Sequence, residues 1–210
     1  MDNKIEDFPL DTKTYYFPEK KGIDYNKIMI TTEGRYSISD KKGSAKLVEL
    51  IERYFHSKDL VITDATGNNG SDTIALAIKF KKVNSIELND VNYKALTNNV
   101  NVFNLKNVNT YFGDSLKVLP NLIQDVIYID APWGGTDYKD KERLSLYLGE
   151  SELSDVYNKF KNKTKLFVFK IPKNYDFTFF IQHTKNIKYH IYTYIRKDKV
   201  KYYLMFVPSN

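Results

Sequence analysis

Six consecutive residues, Asp130-Ala131-Pro132-Trp133-Gly134-Gly135, put a carboxylate, a rigid ring and the chain's single tryptophan directly behind an apolar run, Val126-Ile127-Tyr128-Ile129. The run reads as a buried strand, and open α/β sheets bind their ligands at the carboxyl ends of strands. An indole in that place can stack on a flat heterocycle, an interaction of about 1–3 kcal/mol per base. Asp130 and the carbonyl of Ala131 can accept hydrogen bonds from an exocyclic amine. Such an amine is a poor nucleophile, because its lone pair is delocalised into the ring. Fixing its N–H directions turns the lone pair outward, so the gain comes from alignment and no strong base is needed. Pro132 stiffens the loop and removes a competing donor. Gly134 and Gly135 leave backbone room beside the ring. Burial of Trp133 in the core is the other reading, but a proline before it and two glycines after it argue for a loop.

A second chemical cluster lies upstream. In Asp64-Ala65-Thr66-Gly67-Asn68-Asn69-Gly70 an acidic strand end runs into a glycine turn that opens a helix. The spacing is not that of a dinucleotide fingerprint, and no P-loop lysine follows. A zwitterionic amino-acid tail fits better, its ammonium near Asp64 and its carboxylate near the turn amides at a helix N-terminus. Glu87-Leu88 ends the next strand about 20 residues on, where an acid can accept both hydroxyls of a ribose. Gly113-Asp114-Ser115 ends the third strand, where a side chain can meet an adenine edge. Each feature alone also reads as an ordinary strand end or a turn capped by Asn and Ser. Together, at the ends of consecutive strands, they point to S-adenosylmethionine and a methyl transfer to a nucleobase nitrogen.

These residues need a scaffold, and the hydrophobic periods supply one. Helical spacing covers 44–55, 71–80, 91–105, 150–161 and, more briefly, 177–183. Strand-like runs cover 60–64, 83–88, 109–112, 126–130 and 165–171. Two aromatic strands, 187–195 and 200–207, flank an Arg196-Lys197-Asp198-Lys199 turn and make a hairpin. Alternating units predict an α/β fold with a mainly parallel sheet of seven strands, closed by the antiparallel C-terminal hairpin. Residues 1 to about 22 show no period and read as an extended arm or loop. A short helix over 24–30 and a turn-like stretch over 31–40 follow. The division expected is therefore an arm over 1–43 and a catalytic domain over 44–210.

The remaining composition mainly excludes. The sequence has 210 residues and no cysteine, which removes disulfides, zinc–thiolate sites and thiol nucleophiles. Three scattered histidines, His56, His183 and His190, make an imidazole metal site improbable, so no metal is expected. Thirty-two basic against 26 acidic residues give +6, which suits an anionic partner. Heavy use of Lys, Asn, Ile and Tyr matches an AT-rich genome equally well. The acidic N-terminus has no apolar signal core, and no run approaches membrane-spanning length. A soluble intracellular monomer is the expectation.

Trp133-Gly134-Gly135-Thr136-Asp137-Tyr138 resembles the Trp-Gly-Gly-Pro-Asp-Tyr run of the trimethylguanosine synthase family, cap-specific guanine-N2 methyltransferases. Glu33-Gly34-Arg35-Tyr36-Ser37-Ile38-Ser39 is similar to that family's Glu-Gly-Trp-Phe-Ser-Val-Thr, and Ile171-Pro172-Lys173-Asn174 to its Leu-Pro-Arg-Asn. The Asp64 turn also matches, so the resemblance runs over about residues 30–205. It implies a Rossmann-like class I methyltransferase with 7-methylguanosine-capped RNA or a cap nucleotide as substrate. Ser39, Asp64, Ala65, Gly67, Glu87, Leu88, Asp114, Ser115 and Asp130 would line the S-adenosylmethionine site. Asp130, Ala131, Pro132 and Trp133 would form the catalytic loop. Trp133 would stack on the cationic base, with Glu33 and Asp130 facing it. Tyr138, Lys173 and Asn174 would hold the triphosphate, with Lys41, Lys42 or Arg143 nearby.

The departures from the family pattern are specific. Asp130 is followed by Ala131 rather than proline, Arg35 replaces a tryptophan, and Lys173 replaces an arginine and loses bidentate phosphate geometry. Weaker triphosphate binding or a relaxed demand for the cap would follow. The family's long N-terminal regions are not in this sequence, and a viral or protist source fits its composition. Two other readings stay open. Asp130-Ala131-Pro132-Trp133 is also a degenerate form of the motif of adenine-N6 methyltransferases. A non-catalytic cap- or RNA-binding module could keep the same fold, with Tyr192, Tyr194, Tyr202 and Tyr203 of the hairpin as a stacking platform.

Overall fold

Strands whose residues are apolar on both faces need cover on both faces, and the chain supplies helices between them. The computed structural model describes residues 2–185 and 187–209, apart from the side chain of Thr136. In chain order the elements are β1 (Ile5–Glu6), α1 (Leu10–Tyr16), β2 (Ile30–Thr31), α2 (Gly34–Ser37), α3 (Lys41–Phe55), β3 (Val61–Asp64), α4 (Ser71–Lys79), β4 (Lys82–Glu87), α5 (Asp90–Val102) and β5 (Val108–Phe112). They continue with α6 (Ser115–Val118), β6 (Val126–Ile129), β7 (Tyr147–Leu148), β8 (Ser151–Glu152), α7 (Leu153–Phe160), β9 (Leu166–Ile171), α8 (Phe177–His183), β10 (His190–Arg196) and β11 (Lys199–Pro208). The central sheet has seven strands. Two small antiparallel pairs, β1–β2 and β7–β8, lie outside it. Two compact units divide the chain at Asp114 and Ser115.

In the first unit β3, β4 and β5 pair in parallel, in that order. Local signals set the helices between them. Asp40 caps α3 by accepting from the backbone N–H groups of Lys42 and Gly43, and Asn89 caps α5 through Val91 and Asn92. Helix α3 ends where His56 turns left-handed, at φ 51°. Its buried face is Leu47, Leu50 and Ile51, the helical spacing read from the sequence.

The N-terminal stretch departs from the expected arm. Residues 10–16 form a helix, and 25–27 only a single 3-10 turn rather than a longer helix. Phe8, Phe17, Ile28 and Ile30 join Ile74, Leu96, Val100 and Phe103 in one hydrophobic cluster. Residues 34–37, read as turn-like, are the short helix α2. No period could show this, because these apolar side chains are too widely spaced to repeat. What orders them is the surface of α4 and α5.

A buried polar lattice completes this packing. Asn69, with no exposure, accepts from the Thr31 backbone N–H at 2.9 Å. Asn99 donates to the carbonyls of Met29 and Asn69 at 2.8 Å each and accepts from the Met29 N–H. The Thr31 hydroxyl donates to Asn92 at 2.7 Å. Gly34 has no alternative here. A Cβ would meet Asn69 Oδ1 at 2.3 Å and Thr31 Oγ1 at 2.6 Å.

In the second unit β6 pairs in parallel with β9, β9 antiparallel with β11, and β11 antiparallel with β10. All of β6 and β9 is buried, and one member of β9 is a lysine, Lys170. The β10–β11 turn puts Lys197 and Asp198 at φ 49° and 55°, the paired left-handed conformation of a tight hairpin. Phe167, Phe169, Tyr157 and Phe180 pack ring to ring beneath α7 and α8. Glu152 begins α7 by accepting from the Ser154 N–H at 2.6 Å, and also accepts from the Tyr175 hydroxyl at 3.0 Å. Burial beside that carboxylate pushes the Tyr175 phenol far above its ordinary range.

Phe17 is fully buried with its ring 6.2 Å from that of Phe103. Phe17→Ala is expected to cost about 3–5 kcal/mol in urea unfolding, the usual penalty for a buried phenylalanine. A loss under about 1 kcal/mol would show that residues 8–30 are not part of the core.

Candidate active site

The turn after β3 is built from the inside out. Asp64 is 1% exposed, and its carboxylate accepts from the Thr66 N–H at 3.2 Å and the Thr73 hydroxyl at 2.6 Å. It therefore ties the turn to α4, a structural task the sequence did not disclose. Gly67 is also explained by packing. A Cβ there would stand 2.4 Å from Ser85 Oγ and 3.0 Å from Leu96, so the missing side chain admits β4 rather than a ligand. Gly70 has φ 90°, and a Cβ on it would meet Leu96 at 2.9 Å. Ala65 is buried, so it and Gly67 have only backbone to offer.

Glu87, at the end of β4, clasps this turn. One carboxylate oxygen accepts from the Asn68 N–H and the other from the Asn89 N–H, both at 2.7 Å. Burial raises its pKa above the usual carboxylate value, the backbone N–H groups of Asn89, Asn68 and Leu88 oppose the rise, and the charge of Glu33 adds to it. A carboxylate has about four acceptor positions, so these backbone bonds still leave capacity for a hydroxyl donor. Asn68 sits at φ 47° and donates to Ser37 at 2.8 Å, while its buried Oδ1 has no partner among the described residues. An orphaned buried acceptor is costly, and a donor from water or a ligand would satisfy it. Leu88, next to Glu87, is 64% exposed. A bare apolar side chain next to a carboxylate suits a nucleoside, with a flat ring and two hydroxyls.

Other residues of this unit hold the walls. The Ser39 and Ser44 hydroxyls each donate to Asp72 at 2.6 Å, so Asp72 fixes the segment before α3. Asp114 is half-buried after Gly113, whose N–H donates to the Glu87 carbonyl at 3.0 Å. Glu33 and Lys42 are exposed. Lys41 pairs with Glu19 at 2.6 Å and lowers that carboxyl's pKa. Sequence reasoning missed Asn68, Asn69 and Asp72. Their neighbours in space come from tens of residues away.

In the second unit the chain leaves β6 at Asp130. The Asp130 carboxylate accepts from Lys170 Nζ at 2.6 Å, with the two side chains 16% and 7% exposed. That ammonium also lies 5.9 Å from the Trp133 ring centroid and 4.9 Å from that of Tyr202. Trp133 is half-buried on its loop, 5.0 Å from Tyr138 and nearly perpendicular to it at 72°. Among the described residues its buried Nε1–H has no partner. Ala131 is buried and Pro132 exposed. Gly134 and Gly135 adopt φ of 89° and 82°, so the turn itself requires them. The Tyr138 phenol is pushed up by burial and partly pulled back by Lys170.

Asn174 proves to be a strut. Its amide donates to the carbonyls of Tyr138 at 2.7 Å and Lys141 at 2.8 Å, closing the loop that carries Trp133. Lys173 is exposed. Arg143 reaches Asp176 at 4.0 Å. Ser115 is buried at the start of α6. Lys170 was missed although a lysine in the apolar run Leu-Phe-Val-Phe-Lys-Ile is a legible anomaly. Among the described residues no three His, Asp or Glu side chains converge as a metal site, and no helix is long and apolar enough to cross a membrane.

A family profile for RNA cap guanine-N2 methyltransferases matches residues 60–210. The chain belongs to that family. An uncharacterized protein of Acanthamoeba polyphaga mimivirus is 39% identical over 134 residues, 61% of this chain and 52% of the viral protein. The chain thus spans about half the length of this relative. Among solved structures, a Porphyromonas gingivalis protein described as a methyltransferase aligns at TM-score 0.64 and 21% identity, over 89% of this chain and 44% of that one. The 16S rRNA N2-guanine methyltransferase of T. thermophilus, solved with S-adenosylmethionine and guanosine, aligns at TM-score 0.61 and 12% identity, over 80% and 43%. A precorrin-6y methyltransferase of Geobacter metallireducens aligns at 0.61 and 14% identity, over 89% and 97%. These likenesses establish the fold, the Rossmann-like methyltransferase arrangement with a seven-stranded, mainly parallel sheet that the alternating pattern predicts.

Two outcomes follow for this family member. Gly67→Ala is expected to lose about 1–3 kcal/mol of stability, the usual cost of forcing an extra carbon into a packed site, as read by urea unfolding. An unchanged midpoint would show that β4 does not press on the turn. Glu87 has a folded-state pKa above its unfolded one, so its charged form destabilises the fold, and stability falls as pH rises through that interval from 4.5 upward. The thermal midpoint of the wild type relative to Glu87→Gln should therefore rise as pH is lowered from 7 toward 4.5. A difference independent of pH would contradict the burial of this carboxyl.

Proposed function

We propose that the chain transfers a methyl group from S-adenosylmethionine to the exocyclic N2 of a guanine in an RNA cap, 7-methylguanosine above all. The observation that carries the reading is the lone indole of Trp133, held on a glycine-hinged loop at the end of β6 beside Asp130. Membership of the cap guanine-N2 family supports it.

The residues at the ends of β3 and β4 suit the cofactor. Glu87 and Asn68 Oδ1 accept from its hydroxyls, and Leu88 and Asp114 flank the adenine. Ser39, Asp64 and Ser115 are spoken for within the chain and act through the backbone they hold in place. When bound, the cofactor supplies a methyl group on a positively charged sulfur.

The loop after β6 suits the acceptor base. Trp133 stacks on the base and restricts it to one plane. Asp130 and the Ala131 carbonyl accept from the N–H groups of the guanine edge, which turns the N2 lone pair outward. The proton released from N2 leaves to water. Pro132 limits the motion of this loop, and Asn174 fixes its far end. Tyr138 and Lys173 meet the cap phosphates. Rate comes from orientation, for which aligned intramolecular reactions gain up to about 7–11 kcal/mol.

Incubation with labelled cofactor and 7-methyl-GTP, GTP or adenine-containing RNA, followed by mass spectrometry of the nucleoside, tests the reading. Label on guanine N2 is expected. Label on adenine N6, or none with any substrate, would overturn it. Trp133→Ala should lower kcat/KM for the cap nucleotide about 5- to 150-fold, the kinetic equivalent of one lost stacking interaction, while binding of S-adenosylhomocysteine is retained. Equal activity would remove Trp133 from the base site.

A further inference from the structure

The positive charge of the chain is concentrated in one place. Residues 185–201 carry six basic side chains, Lys185, Lys188, Arg196, Lys197, Lys199 and Lys201, against one acid, Asp198, and so hold +5 of the chain's +6. They surround β10 and its turn into β11. All five lysines are exposed. Elsewhere exposed lysines such as Lys4, Lys81, Lys94 and Lys165 sit against a carboxylate, whereas none of these five has such a partner among the described residues. A basic strip of this kind is the footprint of a nucleic-acid backbone. We infer that the β10–β11 hairpin is a docking surface for the phosphates of the RNA that carries the cap. The inference rests on the capped-RNA reading of the site and deepens it, because the substrate becomes RNA held beyond its cap rather than a cap nucleotide alone.

The hairpin and the loop that carries Trp133 share one unit. Tyr202 of β11 lies with its ring centre 4.9 Å from Lys170 Nζ, which is 5.9 Å from the centre of Trp133. A strand advances about 3.3 Å per residue, so Lys199 stands about 10 Å beyond Tyr202 along β11. RNA whose first base lies on Trp133 therefore meets these cations within a few nucleotides. Register sets Arg196 directly opposite Lys199, which gathers charge at the end of the hairpin. Contact is made through charge rather than through bases. Tyr194 and Tyr202, two of the four tyrosines that the sequence offered as a stacking platform, are each 8% exposed and stack on one another at 4.7 Å. An ammonium on a flexible stem is a point charge that suits a phosphate, and a phosphate contact carries no sequence information. The binding is therefore indifferent to RNA sequence and sensitive to salt, since each neutralised phosphate releases counterions.

The test compares the wild type with a triple variant, Lys188→Gln, Lys199→Gln and Lys201→Gln, which leaves the two turn residues in place. Both are assayed on 7-methyl-GTP and on a short capped oligoribonucleotide between about 50 and 200 mM salt. The wild type should have a lower KM for the capped RNA than for the nucleotide, and the advantage should shrink as salt rises. The variant should lose about 3- to 100-fold of kcat/KM on capped RNA, the equivalent of three surface charge contacts, with turnover of 7-methyl-GTP unchanged. The slope of log affinity for capped RNA against log salt should become shallower by about 2. Equal wild-type KM values for the two substrates overturn the inference whether or not the variant folds. Equal losses on both substrates overturn it as well, because the lysines then serve the cap phosphates or the fold. Fluorescence anisotropy with a labelled uncapped RNA separates this inference from the proposed function. Wild-type binding that the variant loses supports the hairpin surface even if no cap nucleotide is methylated. Binding to phosphatidylserine vesicles without binding to RNA overturns it.

Discussion

Buried polar groups must find partners, and around the turn after β3 that demand organises everything nearby. The turn carries Asp64, Asn68 and Asn69 into the interior. Asp64 is answered by Thr73, Asn69 by Thr31, and the backbone of Asn68 by Glu87. Each answer comes from a different element, so satisfying the turn also fixes α4, β2 and the end of β4. Among the described residues, Asn68 Oδ1 is the acceptor of this turn left without a donor. Unmet bonding capacity, rather than a cleft as such, marks this half of the site.

The second unit applies the same rule to a formal charge. A lysine in a fully buried strand is tolerated only with a counter-ion and polarisable neighbours, and Asp130, Trp133 and Tyr202 provide them. The pairing gives Asp130 a fixed direction. One contact of 2.6 Å ties β9 to the loop after β6.

Much of this was legible from local pattern. Every strand of the central sheet, and the helices α3, α4, α5, α7 and α8, appear within a few residues of where period and caps put them. Trp133 does lie on a glycine-bearing loop, and Glu87 does end β4. The N-terminal residues were harder. Phe8, Phe17, Ile28 and Ile30 follow no repeat, because the surface that orders them is supplied by α4 and α5. Asn174, which the resemblance assigns to the phosphates, also donates to the carbonyls of Tyr138 and Lys141, and residue type alone does not say which acceptors lie within reach.

What the sequence by itself determined is the alternation of strand and helix, the order of the glycine turns, and the placing of acids and the indole at strand ends. These depend on period, caps and left-handed turns, which act within a few residues. The tertiary structure alone decided which of those groups are committed. Asp64 faces inward, Gly67 admits Ser85, Asp130 is matched by Lys170, and Asn68 keeps an acceptor open. Those outcomes turn on distances between residues far apart in the chain, where a few tenths of an ångström separate a hydrogen bond from none.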